Sequence, residues 1–356
     1  MRKSDILLEL LDSDARYVNN RINLKSLDGL DVTITGATGL VGFNIICALN
    51  YYNNNYAKKR ININALSYGK PNGIIKKVFE KNGVNSIIGD LSDCIFVEGL
   101  PKSECIIHSA GYGQPGKFLN DKLKTISINT SATISLSRKL KKEGKFLFLS
   151  SSEIYSGCSS QENIESDIGT TCPEHPRSCY IEGKRSGEAI VNILREKGVS
   201  AASARLALAY GPGVRPNDER VLNQFIQKGI KGSIDLLDSG FSMRTYGYIA
   251  DIVIMLLNIL IKNNNSTYNV GGRSVLSIKD LATKIGKHMS VDVKVPSRSE
   301  SSLKGAPEFV GLNLSCGPYK FAGLTIKIFI LSLYISHNFS EKIFIHPTLK
   351  YFLNKE

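Results

Sequence analysis

Most features that mark a specialised chain are missing here. None of the seven cysteines (Cys47, Cys94, Cys105, Cys158, Cys172, Cys179, Cys316) pairs with another at C-x-x-C spacing, and their number is odd. That argues against a zinc or redox motif and points to reduced thiols in a cytoplasmic compartment. The five histidines are equally dispersed, so no metal is expected. A net charge of +13 invites a nucleic-acid partner, but no dense Arg/Lys block with interleaved aromatics accompanies it. No nucleic acid is therefore expected, and a basic surface equally suits a small anionic substrate. The opening MRKSDILLELLDSD carries acids within its apolar stretch and has no small-residue cleavage site. It reads as an amphipathic helix, not a signal peptide. The apolar run 324–336 is broken by Lys327 and falls short of the roughly 20 residues that span a bilayer. A buried or surface helix is expected there, and no membrane partner. No internal repeat is visible.

What is present is an ordinary globular composition, 42% hydrophobic and 22% charged over 356 residues. Apolar or β-branched runs predict strands at 31–35, 61–67, 84–89, 104–109, 145–151 and 199–207. Helical patterns lie between most of them, including 131–142 and 180–197. The Asn-rich stretch 51–56 reads as a lengthened loop after the first helix. This alternation predicts an α/β fold, a doubly wound parallel sheet covered on both faces. From about Gly211, Gly and Pro become frequent and the elements shorten, which suggests a smaller substrate-binding lobe. The expected division is a helical extension over 1–28, a dinucleotide-binding domain over 29–210, a lobe over 211–312 and a tail over 313–356.

The first strand runs into Gly36-Ala37-Thr38-Gly39-Leu40-Val41-Gly42 and then an apolar helix. Glycines permit a tight turn and close approach of backbone to a diphosphate, and the helix start offers free N–H groups. The spacing is G-x-x-G-x-x-G, placed where a dinucleotide loop belongs. At the end of the second strand Ser67 stands where an acid usually meets the ribose, with Lys70 nearby, leaving NAD or NADP open. Asp90, before Leu91, suits either the adenine or a helix N-cap.

Tyr180 and Lys184 are four apart, so a helix sets phenol and ammonium on one face. A nearby Lys⁺, together with an oxidised nicotinamide, favours the phenolate. Upstream, the buried-looking strand 146–149 ends in Ser150-Ser151-Ser152-Glu153-Ile154-Tyr155.

Glycine loop, strand-end hydroxyls and Tyr-x-x-x-Lys, in this order, closely resemble the extended short-chain dehydrogenase/reductase family of nucleotide-sugar epimerases, dehydratases and decarboxylases. The resemblance covers residues 30–311 and implies a Rossmann-like fold with a C-terminal substrate lobe. It implies NAD as cofactor, a UDP-linked sugar substrate and a homodimer formed through 120–142 and 180–197. In that family the catalytic hydroxyl lies four residues before the strand-end tyrosine, which selects Ser151. His108-Ser109-Ala110-Gly111 resembles the fourth-strand cofactor segment, and Asn129 the helix asparagine that braces the active site. The strings around Arg177, Arg220 and Arg244 look most like the UDP-glucuronate decarboxylase branch. That implies C4 oxidation by Tyr180, loss of carbon dioxide and hydride return. Arg244 is expected to grip the diphosphate; Arg177 and Arg220 serve the carboxylate or nucleotide, or form surface ion pairs.

A 4,6-dehydratase would use Glu153 to remove the C5 proton, but there the family carries an acid where this chain has Ser152. A 4-epimerase needs no Glu153, and a silent NAD-binding scaffold would not need Ser151, Tyr180 and Lys184 together. Leu208 replaces a substrate-contacting asparagine of the family. After Gly311 the chain no longer resembles the family's closing helices, as an altered terminus or a shifted reading frame would produce.

Overall fold

The computed structural model describes residues 3–314 except 159, 161, 216, 263–264, 273 and 297–308. The apolar run 324–336 and nearly all of the tail lie outside the described residues.

Short runs rich in Val, Ile, Phe and Ala form the central strands: β1 Asp31–Thr35, β2 Asn62–Ser67, β3 Asn85–Ile88, β4 Ser103–His108, β5 Leu140–Ser151 and β6 Ser200–Leu206. In the C-terminal part follow β7 Leu208–Tyr210, β8 Ser233–Asp235, β9 Met243–Tyr248, β10 Thr267–Val270, β11 Ser274–Ser277, β12 Asp292–Lys294 and β13 Phe309–Val310. The seven-stranded sheet has the order β10-β6-β5-β4-β1-β2-β3, and every pairing in it is parallel. Winding reverses between β1 and β4, so their carboxyl ends open the crevice where a doubly wound sheet binds ligands. This is a Rossmann-like α/β fold.

The helices are α1 Lys3–Asn19, α2 Leu40–Asn55, α3 Gly73–Asn82, α4 Cys94–Glu98, α5 Pro115–Asn120, α6 Lys122–Asn129, α7 Ser131–Ser137, α8 Ser178–Glu196, α9 Val221–Ile230, α10 Ile249–Ile261 and α11 Ile278–Met289. The leading helix is not a loose appendage. Leu7, Leu11, Ala15 and Val18 recur at helical spacing and enter the main core. Two hydrogen bonds then fasten α1 to the start of α10: Tyr248 donates to Asp14 at 2.9 Å and Tyr17 to Asp251 at 3.1 Å.

Two sequence expectations need correction. The Asn-rich 51–56 stretch is mostly the last turn and a half of α2, not a loop. Asparagine is a poor helix former, but Asn53 exchanges two hydrogen bonds with the Ile61 backbone and Tyr52 donates to Asp28. Those tertiary bonds outweigh propensity. The helix expected over 131–142 ends at Ser137, and β5 already begins at Leu140. Lys141 reaches Asp31 at 2.6 Å and Glu104 at 2.8 Å, which draws this segment onto the sheet.

A second apolar core lies beyond the sheet, where Leu222, Phe225 and Ile226 of α9 meet Ile234, Tyr246, Leu281 and Ile285. Strand β10 returns from this part of the chain to extend the central sheet beside β6. Among the described residues no helix is long and apolar enough to cross a membrane, and no acid, His and Cys cluster could hold a metal.

Candidate active site

The glycine loop leaves β1 with Gly36 at φ +63°, a conformation that L side chains rarely adopt. A Cβ there would come within 2.8 Å of the Ser109 carbonyl and 2.9 Å of the Ala110 amide. A Cβ on Gly42 would strike the Gly36 carbonyl at 2.6 Å. Both glycines are therefore needed to seat α2 against the end of β4. Helix α2 starts at Leu40, with Gly39 as an N-cap that has no side-chain cap bond. The first-turn amides, including those of Leu40, Val41 and Gly42, have no carbonyl within the helix to pair with, and the dipole's positive end suits a diphosphate.

The neighbouring cofactor segment is fixed from below. Thr35 Oγ1 lies 2.8 Å from His108 Nδ1, and His108 Nε2 is 3.0 Å from the Ile128 carbonyl. A carbonyl only accepts, so Nε2 carries the proton and Thr35 donates to Nδ1. Burial pushes His108 down to about 4, so the ring is neutral. Ser109 donates to the Thr35 carbonyl, and the Ala110 amide to Thr35 Oγ1.

Ser151 ends β5 and caps the short turn Ser152–Tyr155, accepting the Glu153 amide at 3.2 Å. Its side chain lies near enough to Tyr180 to favour the ionised phenol. Tyr180 is buried and stacked on Phe118, with ring centres 4.7 Å apart. Lys184, one helical turn on, donates to the Leu149 carbonyl at 2.6 Å and lies 5.9 Å from the Tyr180 ring centre. Ser151, Tyr180 and Lys184 thus lie together, the last two on one face of α8. The phenol, however, is not activated by these side chains alone. Burial first, then Glu153, push it up to about 12, against Ser151, Arg177 and Arg220. Burial brings Lys184 down to about 7, with Glu188 opposing. Asn129 donates to the Thr125 carbonyl, while its Oδ1 is buried without a hydrogen-bond partner. A Cβ on Gly111 would lie 3.6 Å from Lys184 Nζ and 3.9 Å from that Oδ1. A small residue keeps space open beside both groups.

Glu153 faces the same space. Arg177 Nη1 lies 3.1 Å from its Oε1, while Oε2 is buried and unpartnered. Burial raises the Glu153 pKa, and Arg177 and then Arg244 oppose the rise. Arg244, on β9, therefore acts on the acid through its charge. Ser152 is buried next to it. Arg220 forms a forked ion pair with Asp218, its closest contact at 2.7 Å. Both line a pocket with Leu208, Tyr210, Asn223 and Tyr246. Asn223 Oδ1 and the Tyr246 hydroxyl are buried without partners, and sequence reasoning missed both.

At the end of β3, Asp90 pairs with Lys124 at 2.5 Å and accepts from Ser92, while Leu91 packs on a small core. Of its two readings, helix capping falls to Asp93, which caps α4. Ser67 turns its hydroxyl to the Gly69 carbonyl. Arg215, exposed and 177 residues away in sequence, donates to the carbonyl and hydroxyl of Thr38 in the glycine loop. Nothing in its sequence surroundings marks it for that place.

The model of the NAD dependent epimerase/dehydratase family matches residues 32–271, more than half of the chain. Over 183 residues the chain is 31% identical to UDP-glucuronic acid decarboxylase 1 of Xenopus tropicalis, covering 51% of this chain and 44% of that one. It therefore spans less than half the length of that relative. UDP-glucuronic acid decarboxylase 6 of Arabidopsis thaliana is 26% identical over 267 residues, covering 74% and 76% of the two chains. The fold is shared with a dTDP-glucose 4,6-dehydratase from Streptomyces venezuelae solved with NAD bound. That match has a TM-score of 0.67 at 18% identity, over 80% of this chain and 88% of the other.

Proposed function

The chain belongs to the NAD dependent epimerase/dehydratase family, and on that premise we propose that it converts UDP-glucuronate to UDP-xylose. The observation that carries this reading is Glu153, paired with Arg177 and also acted on by the charge of Arg244, close to Tyr180. Two guanidinium charges acting on one carboxylate suit a substrate that brings a second, as a uronic acid does. Ser152, where the dehydratases carry an acid, leaves no such proton donor for a departing C6 hydroxyl. The decarboxylase names of the relatives point the same way.

The residues present fit NAD. The glycine loop and the first turn of α2 suit its diphosphate, and the space bounded by Gly111, Asn129 and Lys184 suits its nicotinamide end. Asp90 and Leu91 stand toward the adenine side. Bound NAD supplies a hydride acceptor for sugar C4 and returns the hydride later in the cycle. Tyr180 takes the C4-hydroxyl proton, and the Lys184 ammonium favours the resulting phenolate. With C4 a ketone, the C5 carboxylate is β to a carbonyl. The C5–carboxyl bond breaks, carbon dioxide leaves, and the electron pair becomes an enolate on the C4 oxygen. Ser151 and protonated Tyr180 donate hydrogen bonds to that oxygen. Glu153, whose pKa burial raises, is placed to return a proton to C5. Arg220 and its pocket then serve the nucleotide. A homodimer through α6, α7 and α8 belongs to the same reading, because Leu123, Ile134 and Ile193 are exposed there.

One observation favours a second reading. The unpartnered Glu153 Oε2 also suits removal of a C5 proton, the step a 4,6-dehydratase needs. Separate incubations with NAD and UDP-glucuronate, dTDP-glucose or UDP-glucose tell the reactions apart by mass and chromatography. Loss of carbon dioxide is expected with the first. Loss of water from the second would favour dehydration, isomerisation of the third would favour epimerisation, and no product from any would overturn the enzyme reading.

A further inference from the structure

We propose that Glu188 is a positioning residue for the oxidation step: with Arg205 it clamps β5 to α8 and sustains the charge of the Lys184 ammonium. The proposal rests on the oxidation role given above to Tyr180 and Lys184.

Glu188 lies one turn beyond Lys184 and two beyond Tyr180, so the three share one stripe of α8. Its Oε1 accepts the Ser150 hydroxyl at 2.5 Å. Arg205, on β6, grips both carboxylate oxygens through Nε at 3.0 and 3.2 Å and through Nη2 at 2.8 Å. The pair is nearly sealed, with side chains 12% and 7% exposed. Ser150 sits between two β5 residues that meet the catalytic pair. On one side the Leu149 carbonyl accepts Lys184, and on the other Ser151 meets Tyr180. Fixing Ser150 therefore fixes the register between both partnerships.

The clamp extends to the turn that carries Glu153. Arg205 Nη1 donates to the Tyr155 hydroxyl at 2.7 Å and to the Glu165 carbonyl at 2.8 Å. Tyr155 in turn donates to Asn269 on β10 at 2.8 Å. A charge-assisted fork at the centre of such a network holds its geometry tightly.

The second role is electrostatic. Lys184 is packed against β5, β4 and α6, so its ammonium has lost most of its water. Facing it are Tyr180 and Glu188 on α8, neutral His108 on β4, and uncharged Asn129 Oδ1 and Leu149 O. Of these only Glu188 brings a negative charge. Even with it, burial holds Lys184 near neutrality. Without it, the ammonium would lose its proton at a lower pH and could no longer support the Tyr180 phenolate.

The test uses the full chain with Glu188→Gln, Glu188→Asp and the double variant Glu188→Gln/Arg205→Met. The double variant replaces the buried pair without stranding a charge, so it folds even if the single one does not. Two readouts are needed. Side-chain NMR titration of Lys184 requires no turnover, so it stands even if the proposed reaction fails. Its midpoint is expected to move to lower pH in Glu188→Gln and in the double variant, and to recover in Glu188→Asp. In the pH–rate profile, kcat at neutral pH should fall about 10- to 100-fold, with KM little changed and the alkaline limb moved to lower pH. An unchanged Lys184 midpoint in a folded Glu188→Gln or double variant overturns the electrostatic role. A kcat restored to that of the parent chain in the double variant overturns the positioning role.

Discussion

Tyr180 is held under two opposing pressures. Burial and Glu153 push its phenol up to about 12, while Ser151, Arg177 and Arg220 pull it down. In the proposed reaction the phenolate takes the sugar-hydroxyl proton, so the positive charge of a bound oxidised nicotinamide would supply much of that activation. Tyr180→Phe is accordingly expected to lower kcat by about 10²- to 10⁴-fold while far-ultraviolet circular dichroism stays unchanged. Full activity in that variant would remove Tyr180 from the mechanism. At this scale the Tyr180–Lys184 pairing was legible because helix periodicity puts both on one face, and Ser151 was singled out by the family resemblance. The partners of Arg177 and Arg220 were only partly so. Arg220 pairs within its own turn with Asp218, but Arg177 reaches Glu153 across two elements. Glu188 was overlooked because its partners Ser150 and Arg205 come from other strands.

Among the elements, α1 shows how packing decides what a pattern cannot. Its apolar spacing was readable, but its attachment through Asp14 and Asp251 was not. Burial raises Asp14 to about 7, so the fold favours its protonated form. Stability from that group is full below about pH 4, the ordinary Asp range, and is lost as pH rises through about 7. Asp14→Asn should therefore raise the stability of the chain at pH values above 7 by ~2–4 kcal/mol, and change it little near pH 4. Urea unfolding at both pH values measures this, and equal effects at the two would refute the assignment. The Asn-rich end of α2 was misread for a related reason. Propensity favours a loop, yet the bonds of Asn53 to the Ile61 backbone come from a residue eight positions on. The early start of β5 follows likewise from Lys141 reaching Asp31 and Glu104.

For the whole molecule, alternating strands and helices made the parallel sheet and its ligand crevice readable, since right-handed crossovers leave few other topologies. The seventh strand, β10, was not foreseen, because it returns from the C-terminal part after the sixty residues 207–266. Pairing of β9 with β7, just beyond β6, sets the charge of Arg244 to act on Glu153 in the catalytic turn. In the reaction proposed above, this arrangement serves transient oxidation at C4 followed by loss of the substrate carboxylate. UDP-glucuronate carrying deuterium at C4 tests it directly, by the mass of the nucleotide product formed with NAD in less than molar amount. The account predicts a UDP-pentose lighter by one carbon dioxide that still carries the deuterium, because the hydride leaves C4 and returns to it. Unchanged UDP-glucuronate, or a product that has lost the label to solvent, would contradict it.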